Sequence, residues 1–135
     1  MNDQIQKILK GSFDLHVHAG PDIGIERRLD SLETARHAYE AEMAGFVLKS
    51  HDYPTAPLAH TLNQMYPGLR VAGAIALNFS VGGLNPEAVV VSARLGARVV
   101  WMPTFSADAW LRLRGQGPGI TIVSDEGDLV QDIYD

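Results

Sequence analysis

Four short apolar runs, each closing on polar residues and separated by helix-patterned segments, constrain this chain more than any other feature. They are Ser12 to His18, Phe46 to His51, Leu69 to Asn78 and Ala97 to Met102, the last followed by Pro103 and Thr104. A strand buried on both faces reads as a continuous apolar run. Strands that alternate with helices build a parallel sheet with right-handed crossovers. The expected fold is therefore α/β, with four parallel strands alternating with helices. In folds of that kind chemistry collects at the carboxyl ends of the strands. His16, His18, Lys49, His51, Asn78 and Thr104 all fall there, and that coincidence outweighs any single motif.

The intervening segments carry their own boundaries. Residues 2–10 place Ile5, Ile8 and Leu9 at helical spacing, with Gly11 as a stop. This short amphipathic helix is expected to cover one end of the sheet. Asp30, with Glu33 three residues on, forms a capping box for a helix over 31–44. Gly45 stands where a C-terminal cap belongs. A helix over 57–66 closes at Tyr66-Pro67-Gly68. Asn85-Pro86-Glu87 combines an N-cap, a first-turn proline and an acid, and opens a helix over 86–95. After Thr104 the pattern loosens. Residues 105–119 read as a long loop with one helical turn, of the kind that serves as a lid or binding loop. Residues 120–130 read as a hairpin turning at Ser124-Asp125-Glu126-Gly127-Asp128, and 131–135 as the start of a helix. Neither a repeat nor a domain boundary interrupts residues 1–135.

Along a strand, side chains alternate with period two. Asp14, His16 and His18 are thus expected on one face, and Phe13, Leu15 and Val17 on the other. Two imidazoles two residues apart converge just past a strand end, where they can hold a divalent metal. The same spacing also suits two half-exposed histidines at a sheet edge. Lys49 and His51 repeat the spacing, which makes His51 a third candidate ligand. Lys49 follows three apolar strand residues and needs a partner there. It suits an anion anchor, a general base of lowered pKa or a carbamylated metal bridge, unless it snorkels to solvent. Asn78 and Thr104 are candidates for substrate contact. Arg27, Arg28, Arg112 and Arg114 make an anionic substrate plausible, since guanidinium forks match carboxylate and phosphate. Gly82-Gly83 before a helix suits either an anion cradle or a tight turn.

Composition narrows the classes of partner. The chain has 135 residues, 46% hydrophobic and 20% charged, which is ordinary for a globular domain with a real core. The net charge of −5 argues against nucleic acid or an anionic membrane as the partner. No cysteine is present, so disulfides, zinc–thiolate sites and cysteine nucleophiles drop out together. The polar start Met1-Asn2-Asp3-Gln4 lacks an apolar signal core, and no apolar run approaches the roughly 20 residues that span a bilayer. The expectation is a soluble, cytoplasmic protein with a small-molecule substrate.

Asp14-Leu15-His16-Val17-His18 resembles the first strand of the amidohydrolase superfamily and of the related polymerase-and-histidinol-phosphatase hydrolases. The longer set His-Val-His-Ala-Gly-Pro-Asp, Leu-Lys-Ser-His, Leu-Asn-Phe-Ser-Val-Gly-Gly-Leu-Asn-Pro and Val-Trp-Met-Pro-Thr resembles an uncharacterised amidohydrolase-like family in that group, over roughly residues 12–130. The resemblance implies a (β/α)8 TIM-type barrel, with zinc or manganese held by His16 and His18. It implies a metal-activated water that attacks an amide, ester or phosphoester. From its own position, one pleat below His16, Asp14 is expected to orient an imidazole through the far nitrogen, and Lys49 is the candidate catalytic group. In that superfamily the bridging lysine usually lies on the fourth strand, whereas Lys49 is on the second. A full barrel takes about 250 residues, so the expected architecture is its first half. The superfamily's later histidines and its strand-eight aspartate have no counterpart here. The other expected partner is accordingly a second copy of the chain or a C-terminal half.

Overall fold

A computed structural model describes residues 3–130 of the chain. After helix α1 (Asp3–Leu9) come β1 (Phe13–His18), α2 (Ser31–Glu40), β2 (Gly45–Lys49), α3 (Ala56–Met65), β3 (Arg70–Ala76), α4 (Pro86–Arg94), β4 (Ala97–Trp101) and α5 (Asp108–Leu113). The four strands form one sheet in the order β1-β2-β3-β4, and every pair is parallel. Strand order thus follows chain order, with a helix in each crossover. That is the expected α/β arrangement, and it is consistent with half of a (β/α)8 TIM-type barrel. No helix among the described residues is long and apolar enough to cross a membrane.

The core lies between the sheet and helices α2 and α3. Phe46 and Leu48 of β2 pack there against Ala35, Ala38, Ala59 and Leu62. Phe46, Leu48 and Leu62 are fully buried, and each stabilises the fold by about 1.5–3 kcal/mol relative to exposure. The small helix residues let α2 and α3 approach the sheet closely. The tightest approach is at Gly73, where a Cβ would stand 2.4 Å from the Cα of Ala56. Any larger residue there would lift α3 off β3. Thr55, just before α3, is wholly buried. Its hydroxyl donates to the Leu48 carbonyl at 2.6 Å and accepts from the Ala74 N–H at 2.8 Å, which ties β2 to β3.

The helix starts follow the sequence. Asp30 accepts from the Glu33 N–H while the Glu33 carboxylate accepts from the Asp30 N–H, completing the capping box. Asn85 caps α4 through the Ala88 N–H. The end of α2 differs from expectation: the helix stops at Glu40, and Gly45 begins β2 instead of capping the helix. Glu42 takes the left-handed position, with φ of 55°. Its N–H donates to the Tyr39 carbonyl and that of Met43 to the Ala38 carbonyl, which is the Schellman pattern. A non-glycine residue sits there because the N-terminal segment grips it. The Gly11 N–H donates to the Glu42 carbonyl, and Lys10 pairs with its carboxylate at 3.0 Å. Helix α1 itself buries none of its residues, so the expected cover over the sheet end is not formed by its apolar side.

Strand β1 also departs from simple alternation. Phe13 and Asp14 register with Gly45 and Phe46, but Val17 and His18 register with Leu48 and Lys49. One extra residue therefore lies in β1 between Asp14 and Val17, a bulge of the kind found beside functional sites. Side-by-side residues in a parallel pair point the same way. His18 accordingly shares the row of Lys49, whereas Asp14 shares the row of Phe46, which faces the helices. Phe13, expected opposite the histidines, instead falls in the Gly45 row. A Cβ on Gly45 would come within 2.7 Å of the Phe13 ring and closer still to the Arg70 carbonyl. Beyond β4, the hairpin over 120–130 is present, with Val123 bridged to Leu129 and the Val130 N–H bonded to the Ile122 carbonyl. The expected helix start at 131–135 lies outside the described residues.

Candidate metal centre and strand-end network

The carboxyl ends of the four strands bring together the residues that alternation placed there. At the end of β1 the Nε2 atoms of His16 and His18 stand 3.0 Å apart. Nitrogens so close are joined by a shared proton or a shared metal ion. Two ligands at about 2.0–2.1 Å from one zinc ion are separated by roughly 3.3 Å at a tetrahedral angle, so a small opening of the pair admits an ion. Burial holds the His16 pKa below its ordinary value, with the Lys49 charge adding to the effect and Asp14 opposing it. Burial, then the neighbouring His51, brings His18 down to about 4. Both rings are therefore neutral at physiological pH, the form that binds metal. The donor set fits a divalent cation at this pair.

His51 stands beside the pair and is held differently. Its ring stacks on that of His18 at 4.6 Å between centroids, and on Phe105 at 3.8 Å. Its Nδ1 lies 2.8 Å from the Thr104 hydroxyl. Burial and the Lys49 charge lower its pKa as well. The expected third ligand thus stacks on the pair and does not converge with it. Among the described residues, no group of three or more His, Asp or Glu is arranged to hold a metal ion. Asp14 is also placed otherwise than expected: its carboxylate accepts from the main-chain N–H of His16 at 2.9 Å. Because the bulge turns its row away, it supports the strand at His16 through the backbone, where an imidazole contact was expected.

Asn78 is the centre of the network behind His51. Its amide nitrogen donates to the His51 carbonyl and to the Thr104 hydroxyl, both at 2.9 Å. Its amide oxygen accepts from the N–H groups of Thr104 and Ser106 at 2.9 and 3.1 Å. The side chain is buried, and both its donors and its acceptor are engaged within the protein. Asn78 therefore joins the ends of β2, β3 and β4 to one another; the expected substrate contact has no group left to make it. Thr104 belongs to the same network, with its hydroxyl between Asn78 and His51. Phe105 and Trp110 continue the ring stack, with centroids 5.3 Å apart, and Arg114 lies 4.1 Å over Trp110.

Lys49 lies at the end of β2, only 4% exposed. Its Nζ sits 4.3 Å over the ring of Trp101, whose ring is in turn 4.8 Å from that of His16. Burial lowers the Lys49 pKa. The arginines expected to receive an anion are engaged otherwise or exposed, although the charge of Arg27 reaches His18 and His51. Arg27 is clamped on Asp22 by Nε at 2.8 Å and Nη2 at 2.6 Å. Burial opposes the charge on Asp22, but hydrogen bonds from Arg27, Gly24 and Ile25 outweigh it and keep the carboxyl below its usual range. Arg112 pairs with Asp108 one helical turn earlier, and Arg28 is exposed. The clamp holds the loop after β1 beside the histidines, and Asp52 accepts from its Ile23 N–H at 3.3 Å. Gly82 and Gly83 form a tight turn, their N–H groups bonded to the Phe79 and Asn78 carbonyls. Of the residues in this site, Trp101 was open to discovery, because period two from Ala97 carries it to the strand-end row. Phe105 and Ser106 follow no periodic pattern.

The comparison with known families bears on residues 11–135, which match the model of a family of unknown function, DUF6282. The chain belongs to that family. No curated protein and no solved structure matches it.

Proposed function

We propose that this chain carries a catalytic part of a metal-dependent hydrolase of the amidohydrolase type. The observation that supports this reading is the approach of the His16 and His18 Nε2 atoms to 3.0 Å, on neutral rings at the carboxyl end of a parallel strand. His16 and His18 would hold the metal, zinc or manganese. When bound, such a metal supplies Lewis acidity and lowers the pKa of water toward 7. The residues of this chain orient and shield. The stack of His51 and Phe105 covers one side of His18, and the Asp22–Arg27 clamp holds the loop beside it. The substrate is a small molecule with an amide, ester or phosphoester bond.

Metal analysis of the purified protein tests this reading. The wild type is expected to carry close to one zinc or manganese per chain, and the His16→Ala/His18→Ala variant less than a tenth of that. Equal metal content in the two would reject the site. A second reading rests on the two-histidine ligand set, which among the described residues gains no third member. In it, the chain alone is a metal-binding half-barrel without turnover, and the remaining ligands come from chain docked along the edges of β1 or β4. The exposed Leu15 and Val100 at those edges favour such docking. Turnover of a panel of amides, esters and phosphoesters by the metal-loaded chain separates the two readings.

A further inference from the structure

We infer that Lys49 anchors a small oxyanion, a carboxylate or phosphate carried by the substrate, at the carboxyl end of β2 beside the His16–His18 pair. This deepens the hydrolase reading by naming the substrate class, and rests on it for calling the anion a substrate group.

The argument starts from what surrounds the ammonium. Lys49 is 4% exposed, yet among the described residues its only close partner is the face of Trp101. An ammonium carries three N–H donors and no acceptor, and a ring face attracts its charge without taking hydrogen bonds in the plane of a lone pair. The residue is buried but its Nζ is not among the fully buried atoms that lack a partner, so the ammonium stays open to an anion, which would take the hydrogen bonds that the ring face cannot. The nearby groups do not supply one. His16, His18 and His51 are all within the field of Lys49, and are neutral rings. Two fully buried side-chain atoms beside Lys49 do lack a partner among the described residues, Nε1 of Trp101 and Nδ1 of His18. No carboxylate contributes to the pKa shift of Lys49, and the Asp22 carboxylate is already matched by Arg27.

Metal binding sharpens the requirement. A divalent cation at His16 and His18 would add positive charge close to Lys49, and the two would repel. An oxyanion set between them neutralises both. Metal and anion should then favour each other's binding, reciprocally. A neutral substrate group offers no such compensation. Arg27, the cation expected to take the anion, has its fork closed on Asp22, whereas Lys49 has the Trp101 face and, among the described residues, no hydrogen-bond acceptor.

The test is calorimetric titration of the full chain, as purified, with inorganic phosphate and separately with acetate. Wild type is expected to bind at least one of them, and which one tells phosphate from carboxylate. Lys49→Met, a close match in shape that removes the charge from a buried position, is expected to fold and to bind at least tenfold more weakly. Lys49→Arg is expected to bind within threefold of wild type. The His16→Ala/His18→Ala variant separates this inference from the metal reading: anion binding that persists there within tenfold belongs to Lys49, whatever the metal content. The inference is overturned if neither probe binds the wild type, or if Lys49→Met binds as the wild type does.

Discussion

The ends of β2 and β3 and the end of β1 differ in chemistry. Strand β2 is buried along its whole length and β3 along most of it, whereas β1 is exposed over its first four residues and β4 is at most half-buried. The residues that end the middle strands, His51 and Asn78, sit in a closed network whose hydrogen bonds run to main chain and to Thr104. The histidines that end β1 have each other and the rings around them. Residues with similar strand-end positions thus divide into those that hold the site together and those left able to take a ligand. Burial favours the first role, because buried polar groups generally find partners within the protein; Lys49, at the end of buried β2, is the exception.

This contrast can be broken most directly at Asn78. Asn78→Leu would strand the Thr104 and Ser106 N–H groups and leave the His51 carbonyl with the Ser80 hydroxyl alone, and is expected to cost about 3–5 kcal/mol of unfolding free energy. Urea denaturation measures it, and a loss under about 1 kcal/mol would show the network to be incidental. Thr55→Val, which removes the hydroxyl bridging β2 and β3, is expected to cost about 1–3 kcal/mol by the same measurement.

The flanking side predicts a pH effect. His18 is held down to about 4, mainly by burial, against about 6.5 for an unfolded histidine. Between those values the unfolded chain binds a proton that the folded chain refuses, so stability rises with pH across the window and is lost as pH falls through it. Melting curves of metal-free protein from pH 7 to pH 4 should show this decline, and His18→Gln should flatten part of it. An unchanged slope in the variant would mean that His18 titrates normally. The smallest effect is expected at His16, which is exposed on β1. His16→Ala in metal-free protein should change stability by less than about 0.5 kcal/mol while reducing metal content sharply. A large loss of stability would instead place β1 among the structural strands.

Much of this organisation was legible in the residues. The four apolar runs became four parallel strands, and Asp30, Glu33 and Asn85 cap the helices they were expected to cap. Local patterns carry such information because period and capping act within a few residues. The end of α2 was not legible, since the force that puts Glu42 in a left-handed conformation comes from Lys10 and Gly11, far back along the chain. Nor was the fate of the arginines. A guanidinium reads the same whether or not a carboxylate awaits it, and Asp22 reaches Arg27 only once the loop has closed. The Asp108–Arg112 pair is the exception, because its four-residue spacing is itself the signal. His51 and Asn78 were placed correctly at strand ends, but whether a polar strand end turns inward to its neighbours or outward to a ligand depends on the adjoining loops, here through Thr104, Phe105 and Ser106.

The extra residue in β1 gives the chain a tolerance in phase. Above it, His18 takes its facing from Lys49; below it, Phe13 takes its own from Gly45. Neither end depends on an unbroken count through the strand. Loss of Leu15, which is 69% exposed, would leave a plain alternating strand in which Phe13, His16 and His18 still face together. The floor of the sheet and the histidines at its mouth can therefore vary in spacing by one residue without the pair rotating out of place.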